Sequence, residues 1–542
     1  MAGRKKSTVI KFMETSSMKG LPRIVRAQNP VLRIVWLVGF LFGMAMAIYY
    51  LYALLSVYFS HTSVTSISEG HSNVSFPDVT VCNLNPISNI EGGEIRYAEH
   101  VETIGSLQDR LQGRGKTELT DMLAYLMTPQ GFLQNIADNK LHSEVSSNFS
   151  VTCDWWFTEG AAKEDRDQNC SATITHRFLS ASAGHCLTFH APKKVNGLTA
   201  IFFLDDFAYI SLPDFDVSSQ QVFGGGGSVV LHEPDTMPDL EGSMAVPSGY
   251  HSEFDLYTST RVRLGKPYSQ CASPRDVHWP KQLIMDPGVK YSYYTCVQLC
   301  KQFTTIERCG CIAPELLSTK YMRAEFEFCG KIPMSTNPDG QPNYEKLADM
   351  LEKYQCYIST DTTRPMCQCP TPCKENYYHF KYVQAKWPHP SFALPFYLKY
   401  IKKKPYAHKF NYYDEIEKTM VKNKSAAFDM LWKEEKMQQN FFHLKVYFGT
   451  QRLDVTYEDK PAIGSETLWG NVGGTLNLWM GVSFVTLIEL VEMIYHLLLS
   501  YRTDNDNNAV DRNDSFHSSR SRNASDSGDR SKRESRNGTS SR

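Results

Sequence analysis

The segment Gly470-Asn-Val-Gly-Gly-Thr-Leu-Asn-Leu-Trp-Met-Gly-Val-Ser-Phe-Val-Thr-Leu-Ile-Glu-Leu-Val-Glu492 decides how this chain is read. It is apolar over most of its length, yet Glu489 and Glu492 stand three residues apart, on one face of a helix. A carboxylate at membrane depth is expensive unless it meets water or a partner. Stepping back by three or four residues, the same face gathers Val485, Val482 or Gly481, Leu478, Gly474 and Asn471, while Trp479, Met480, Phe484, Leu487 and Leu490 fall elsewhere. One stripe is small or polar; the remainder suits lipid or neighbouring helices. Gly481-Val482-Ser483 adds small residues that let backbones approach and expose carbonyls to an ion. The pattern predicts a pore-lining helix; the alternative is that the two carboxylates only mark the membrane boundary. One such helix cannot enclose a pore, so an oligomer is expected, each subunit donating this face around an axis.

Outward from this segment, Ile34–Phe59 is a second apolar run, 26 residues without a charge. As a helix it is roughly 39 Å long, enough to cross a ~30 Å hydrocarbon core with tilt. A cleaved signal peptide is excluded by its length, its late start and the lack of a small-residue cleavage pattern. Eight Lys/Arg against Glu14 alone precede it, which puts residues 1–33 in the cytosol. The expected layout is a cytosolic segment 1–33, transmembrane helix 34–59, extracellular domain 60–467, transmembrane helix 468–499 and a cytosolic tail 500–542. That tail is rich in Ser, Arg, Asn and Asp and is expected to be disordered. The formal net charge of −1 hides about −8 on the extracellular part, a mild attraction for cations. Nothing points to nucleic acid.

All 14 cysteines, Cys82 to Cys373, fall between the two spans, as an oxidising compartment produces. Cys309-Gly-Cys311 and Cys367-Gln-Cys369 with Cys373 are read as disulfide partners, not zinc ligands, since no His stands at finger spacing. Sequons at Asn73, Asn148, Asn169 and Asn423 lie in the same region; those at Asn513, Asn523 and Asn537 fall in the cytosolic tail. Strand character is expected over Val64–Cys82, Ala200–Leu204, Ser228–Leu231 and Phe441–Tyr447, with Gly224–Gly227 as a turn. Helical spacing over 86–150 (Leu119, Met122, Leu123, Leu126), within 285–373 and over 411–438 completes a mixed α/β ectodomain.

Several motifs in order resemble the degenerin and epithelial sodium channel superfamily, over about residues 10–502. Phe76-Pro-Asp-Val-Thr-Val-Cys-Asn83 and Gly184-His-Cys-Leu-Thr-Phe189 are similar to its conserved elements. The spacings Cys296-x3-Cys300-x8-Cys309-x-Cys311 and Cys367-x-Cys369-x3-Cys373 resemble its thumb, and Gly481-Val-Ser483 its selectivity filter, with Leu487-x-Glu489 continuing the same helix. The resemblance implies a plasma-membrane homotrimer, with a heterotrimer as the variant. Each subunit would carry palm, β-ball, finger (about 86–175), thumb (about 285–375) and knuckle (about 395–438) above two helices. It implies sodium permeation through Gly481, Val482 and Ser483 and block by amiloride. Membrane lipid is the expected surroundings, and the permeant Na+ is the only ion expected, with no cofactor and no metal. The implied disulfides are Cys82–Cys186, Cys153–Cys170, Cys271–Cys373, Cys296–Cys369, Cys300–Cys367, Cys309–Cys356 and Cys311–Cys329. Where the family has His-Gly before the first helix, this chain has Lys19-Gly20, a gating segment; where acid-sensing members have an acid, it has Asn471.

A two-span scavenger-type receptor shares the topology but has no need of Glu489, Glu492 or Gly-x-Ser. Nothing resembles a nucleophile elbow or a metal-ligand motif, so an enzyme is not expected. The overall pattern is most similar to channels gated by short amidated peptides of the Phe-Met-Arg-Phe-amide type; proton or mechanical gating is the alternative. Such a peptide needs an apolar pocket and a carboxylate for its arginine. Phe132, Trp155, Trp156 and Phe157, with Asp154 and Glu159, offer both in sequence; the alternative for Trp155 and Trp156 is ordinary core.

Overall fold

The computed structural model describes residues 10–70, 74–85, 93–111, 123, 127, 131, 149–158, 170–180, 184–206, 225–272, 288–331, 344–362, 367–449, 454–499 and 501. The chain divides into two compact units, Met1–Ser63 with Pro461–Arg542, and Val64–Lys460.

In the first unit, residues 10–15 are helical and are followed by α1 (Leu21–Arg26), α2 (Pro30–Phe59), α3 (Ser465–Met480) and α4 (Phe484–Leu499). Helix α2 begins four residues before the uncharged run, because Asn29 caps it by accepting from the Val31 N–H at 3.0 Å and Pro30 occupies the first turn. Arg33 therefore lies inside the helix, its Nε donating to the Ile24 carbonyl at 3.0 Å. Val35, Val38, Phe42, Ile48 and Tyr52 are all exposed along α2. Among the described helices, α2 alone is long and apolar enough to cross a membrane in one piece. Helices α3 and α4 qualify only as a broken pair, bent by 74° across residues 481–483. The single continuous helix expected over 468–499 is thus replaced by two halves, and Glu489 does not continue the helix that carries Asn471.

The second unit is built on two sheets. The larger has the order β1 (Ser63–Gly70), β12 (Asp454–Pro461), β9 (Tyr250–Val262), β11 (Phe441–Phe448), β6 (Val195–Phe203) and β3 (Ser150–Phe157), with β10 (Lys374–Lys386) also paired to β9. The smaller runs β4 (Ile174–Ser180), β5 (Gly184–Phe189), β2 (Asp78–Asn83), β7 (Gly227–His232) and β8 (Met244–Val246). Successive side chains on a strand point to opposite faces. In β6, Leu198, Ala200 and Phe202 enter a core shared with Val79, Leu187, Phe189 and Val229 of the smaller sheet. Ile201 and Phe203 face a second core made with the helices Pro390–Phe396, Tyr412–Lys422 and Lys424–Lys433. Burial on both faces explains the unbroken apolar run there. The strand β3 falls inside the range expected for a finger, 86–175, but belongs to the larger sheet as its edge. Helix is present in that range at Gly93–Leu111; Leu119, Met122 and Leu126 lie outside the described residues.

The cysteines form Cys82–Cys186, Cys153–Cys170, Cys271–Cys373, Cys296–Cys369, Cys300–Cys367, Cys309–Cys356 and Cys311–Cys329, the pairs that the resemblance implies. Ser292 caps the helix Tyr293–Cys309 and Gly310 ends it in the left-handed conformation at φ 67°. Cys296 and Cys300, four apart on one face, bond to Cys369 and Cys367, while Cys309 in the last turn ties this helix to Tyr344–Ser359.

Candidate functional site

Helix α3 ends because Gly481 adopts φ 68° and donates its N–H to the Asn477 carbonyl at 3.0 Å. A left-handed residue at this place stops a helix and favours glycine. Helix α4 starts at Phe484, and the side chain of Thr486 in its first turn reaches back to the residue before it. The Ser483 N–H donates to Thr486 Oγ1 at 3.1 Å, and the two hydroxyl oxygens lie 3.4 Å apart. The stretch between, expected as the filter, is therefore backbone outside any helix, with Ser483 exposed and Gly481 buried.

The N-terminal segment docks on this break. The Lys19 N–H donates to the Met480 carbonyl at 3.0 Å, satisfying one of the last acceptors of α3. A Cβ on Gly481 would stand 2.5 Å from Lys19 Cγ and 3.0 Å from its Cβ. Ser17 reaches the next half-helix: its N–H donates to Glu489 Oε2 at 2.9 Å, and its hydroxyl lies 2.6 Å from Thr486 Oγ1 and 3.2 Å from Glu489 Oε2. Gly20, at φ 95°, turns the chain into α1. Lys19 thus lies against the candidate filter, and Glu489 is held by Ser17, whose hydroxyl also meets Thr486, rather than standing alone. Ser17 and Thr486 were not singled out from sequence; a hydroxyl 469 residues away leaves no local signal.

The remaining expected pore residues are exposed in the single chain. Leu478 and Val485 are 73% and 58% exposed, Asn471 and Gly474 are also open, and a Cβ on Gly474 would meet nothing within 4 Å. Glu492 lies 3.8 Å from His496 Nε2. Facing away from that stripe, Trp479 packs on α2: a Cβ on Gly43 would meet the Trp479 carbonyl at 2.8 Å, Ala47 is fully buried, and Tyr50 stacks on the indole at 5.8 Å. The small pair Gly43 and Ala47, four residues apart, is the signal for this contact that the apolar run concealed.

Strand alternation separates the residues expected to hold a peptide. Trp155 is buried in the inter-sheet core, its Nε1 donating to Thr173 Oγ1 at 3.1 Å and its ring edge-on to Phe76. Trp156 is on the other face, 38% exposed, with Lys445 Nζ 5.1 Å from its ring centroid. The two indoles do not share a pocket, and the charge beside the exposed one is a cation. Asp154 is exposed and Phe157 half-buried; Phe132 and Glu159 lie outside the described residues. Of the sequons, Asn423 is exposed and caps the helix Lys424–Lys433 through Oδ1, which accepts from the Ala426 N–H at 3.2 Å and leaves the amide nitrogen, the glycan-bearing atom, unused by the cap. Asn73, Asn148, Asn169, Asn513, Asn523 and Asn537 lie outside the described residues.

The first unit thus holds one long apolar helix and a half-helix pair broken at a Gly-x-Ser turn, and the second is a disulfide-rich α/β unit. The chain belongs to the amiloride-sensitive sodium channel family, whose sequence profile matches residues 12–493. It is similar to the FMRFamide-activated amiloride-sensitive sodium channel of Cornu aspersum, 25% identical over 89% of this chain and 82% of that protein. It is also similar to the human bile acid-sensitive ion channel, 23% identical over 89% of this chain and 85% of that one. Human acid-sensing ion channel 2 is 22% identical over 91% of this chain and 87% of its own length. The family is one of oligomeric plasma-membrane sodium channels, not of enzymes.

Proposed function

We propose that this chain is the subunit of a homotrimeric sodium-selective channel, or of a heterotrimer, opened by a short amidated peptide and blocked by amiloride. The observation that carries the pore is the break at Gly481–Ser483, which frees backbone carbonyls in a span where only cavity-lining backbone is tolerated. Asn471, Gly474, Leu478 and Val485 line the conduit on either side of the break, and Glu489 and Glu492 draw cations to it. Both termini are cytosolic in this reading, and Lys19-Gly20 acts on the filter from the inner side as a gating segment. Peptide gating is supported by the similarity to the FMRFamide-activated channel of Cornu aspersum. The peptide site keeps Phe132, Asp154, Trp156, Phe157 and Glu159 as candidates, with Trp155 as their support from the core.

The test is voltage clamp on oocytes expressing the full chain. Amidated Phe-Met-Arg-Phe at micromolar concentration is expected to open an amiloride-sensitive inward sodium current. Current only on a step to pH 5 rejects the peptide and leaves proton gating, the second reading, which the similarity to acid-sensing ion channel 2 favours.

A further inference from the structure

Three groups distant in sequence converge outside the pore. Asp78 opens β2, His190 follows β5 directly, and Asp235 stands in the turn after β7. His190 Nδ1 lies 3.1 Å from Asp78 Oδ1, 3.2 Å from Asp78 Oδ2 and 3.5 Å from Asp235 Oδ1. Their ligand atoms all lie within 4.8 Å of one another. The Asp78 side chain is 3% exposed and held rigidly: its Oδ1 accepts from the Ala191 N–H at 3.3 Å and its Oδ2 from the Asp235 N–H at 2.9 Å. His190 and Asp235 are 37% and 39% exposed, so the group opens to solvent on one side.

We propose that Asp78, His190 and Asp235 form a binding site for a divalent transition-metal ion of the zinc class. Imidazole and carboxylate are donors that Zn2+ takes at about 2.0–2.2 Å, so two ligands of a tetrahedral ion are roughly 3.3 Å apart. The distances from His190 Nδ1 to the two carboxylates bracket that value. Backbone N–H groups already orient the buried carboxylate, the outer-shell support that such sites use. Solvent supplies the fourth position through the open side. Calcium, which selects oxygen ligands alone, fits this donor set poorly. Among the described residues, the other three-residue cluster of metal-ligating type, Cys296, Cys300 and Cys369, is consumed by disulfides.

A built-in competitor makes the site testable. Lys290 Nζ lies 2.8 Å from Asp235 Oδ2, and the Lys290 N–H donates to the Asp235 carbonyl at 2.8 Å, just ahead of the helix Tyr293–Cys309. An ion bound to Asp235 meets the repulsion of this ammonium, so removing the ammonium strengthens binding. The experiment is a Zn2+ titration by calorimetry of the purified full-length protein in detergent, with Co2+ absorption as a second probe of coordination. The expected result is one ion per chain, at least tenfold weaker in His190→Gln, unchanged in the exposed-surface control His408→Ala, and several-fold tighter in Lys290→Gln. Calcium in excess is expected not to displace the ion. Gln at 190 keeps a hydrogen-bond donor for the carboxylates, and Lys290→Gln gains rather than loses, so misfolding cannot mimic the pattern. Equal affinity in His190→Gln and the parent, or no binding by the parent, overturns the proposal.

Discussion

His443 gives the acid response of the second unit a magnitude. It lies on β11 opposite His251 of β9, ring centroids 4.4 Å apart, with the Trp387 ring at 5.4 Å. Burial first, then the neighbouring His251, push its pKa from 6.5 down to about 4, with Glu253 opposing and Lys445 adding the least. The folded state therefore resists a proton that the unfolded chain accepts. Above pH 6.5 neither state is protonated and there is no penalty. As pH falls below 6.5 the unfolded chain gains the proton first, and the loss of stability grows until the folded pKa is passed. Between pH 7.5 and pH 5 this amounts to about 2 kcal/mol, approaching about 3 kcal/mol below pH 4. Hydrogen exchange of Phe441–Phe448 in the purified protein measures it. After correction for intrinsic exchange, protection is expected to drop roughly 30-fold from pH 7.5 to pH 5 in the parent. In His443→Gln the drop should largely vanish. An equal drop in both proteins refutes the assignment to His443.

Three further outcomes follow from the contacts described. Gly481→Ala should reduce sodium selectivity or current at unchanged surface expression: the left-handed φ of 68° penalises an L side chain by roughly 1–2 kcal/mol, and the new Cβ meets Lys19. Reversal potentials read it, and Lys19→Gly in the same chain should restore part of the loss. Gly43→Leu should sharply cut surface expression, measured by biotinylation, because even its Cβ would stand 2.8 Å from the Trp479 carbonyl. Removing Cys309–Cys356 by a double Cys→Ala change frees a 47-residue separation and should destabilise the second unit by about 4 kcal/mol on the chain-entropy account, seen as faster limited proteolysis.

The legible parts of the chain were those whose cause is local. Ala200–Leu204 reads as strand because both of its faces are buried, and Ile34–Phe59 reads as a span because it has no polar face. Gly481-Val-Ser483 was legible as a special turn, but the 74° bend was not. A glycine and a serine are compatible with a continuing helix, and neither the left-handed φ of Gly481 nor the Lys19 N–H on the Met480 carbonyl, 461 positions away, is written in the local pattern. β10 was missed for another reason: most of its residues are exposed, and its strand geometry comes from a full-length register with β9. Trp155 and Trp156 looked like one aromatic pocket in sequence, whereas alternation on β3 puts one in the core and the other beside Lys445. The Asp78, His190 and Asp235 cluster has no spacing motif, since sheet pairing alone assembles it.

The central claim is that the unwound Gly481–Ser483 segment, with Glu489 beyond it, sorts the permeant ion. The direct measurement is the sodium-over-potassium permeability ratio, taken from reversal potentials in full-length channels carrying Ser483→Phe or Glu489→Gln, with surface protein quantified in the same cells. A fall in sodium preference or in conductance at preserved surface expression is expected for each. Permeability ratios and conductance identical to the parent in both variants would contradict the account.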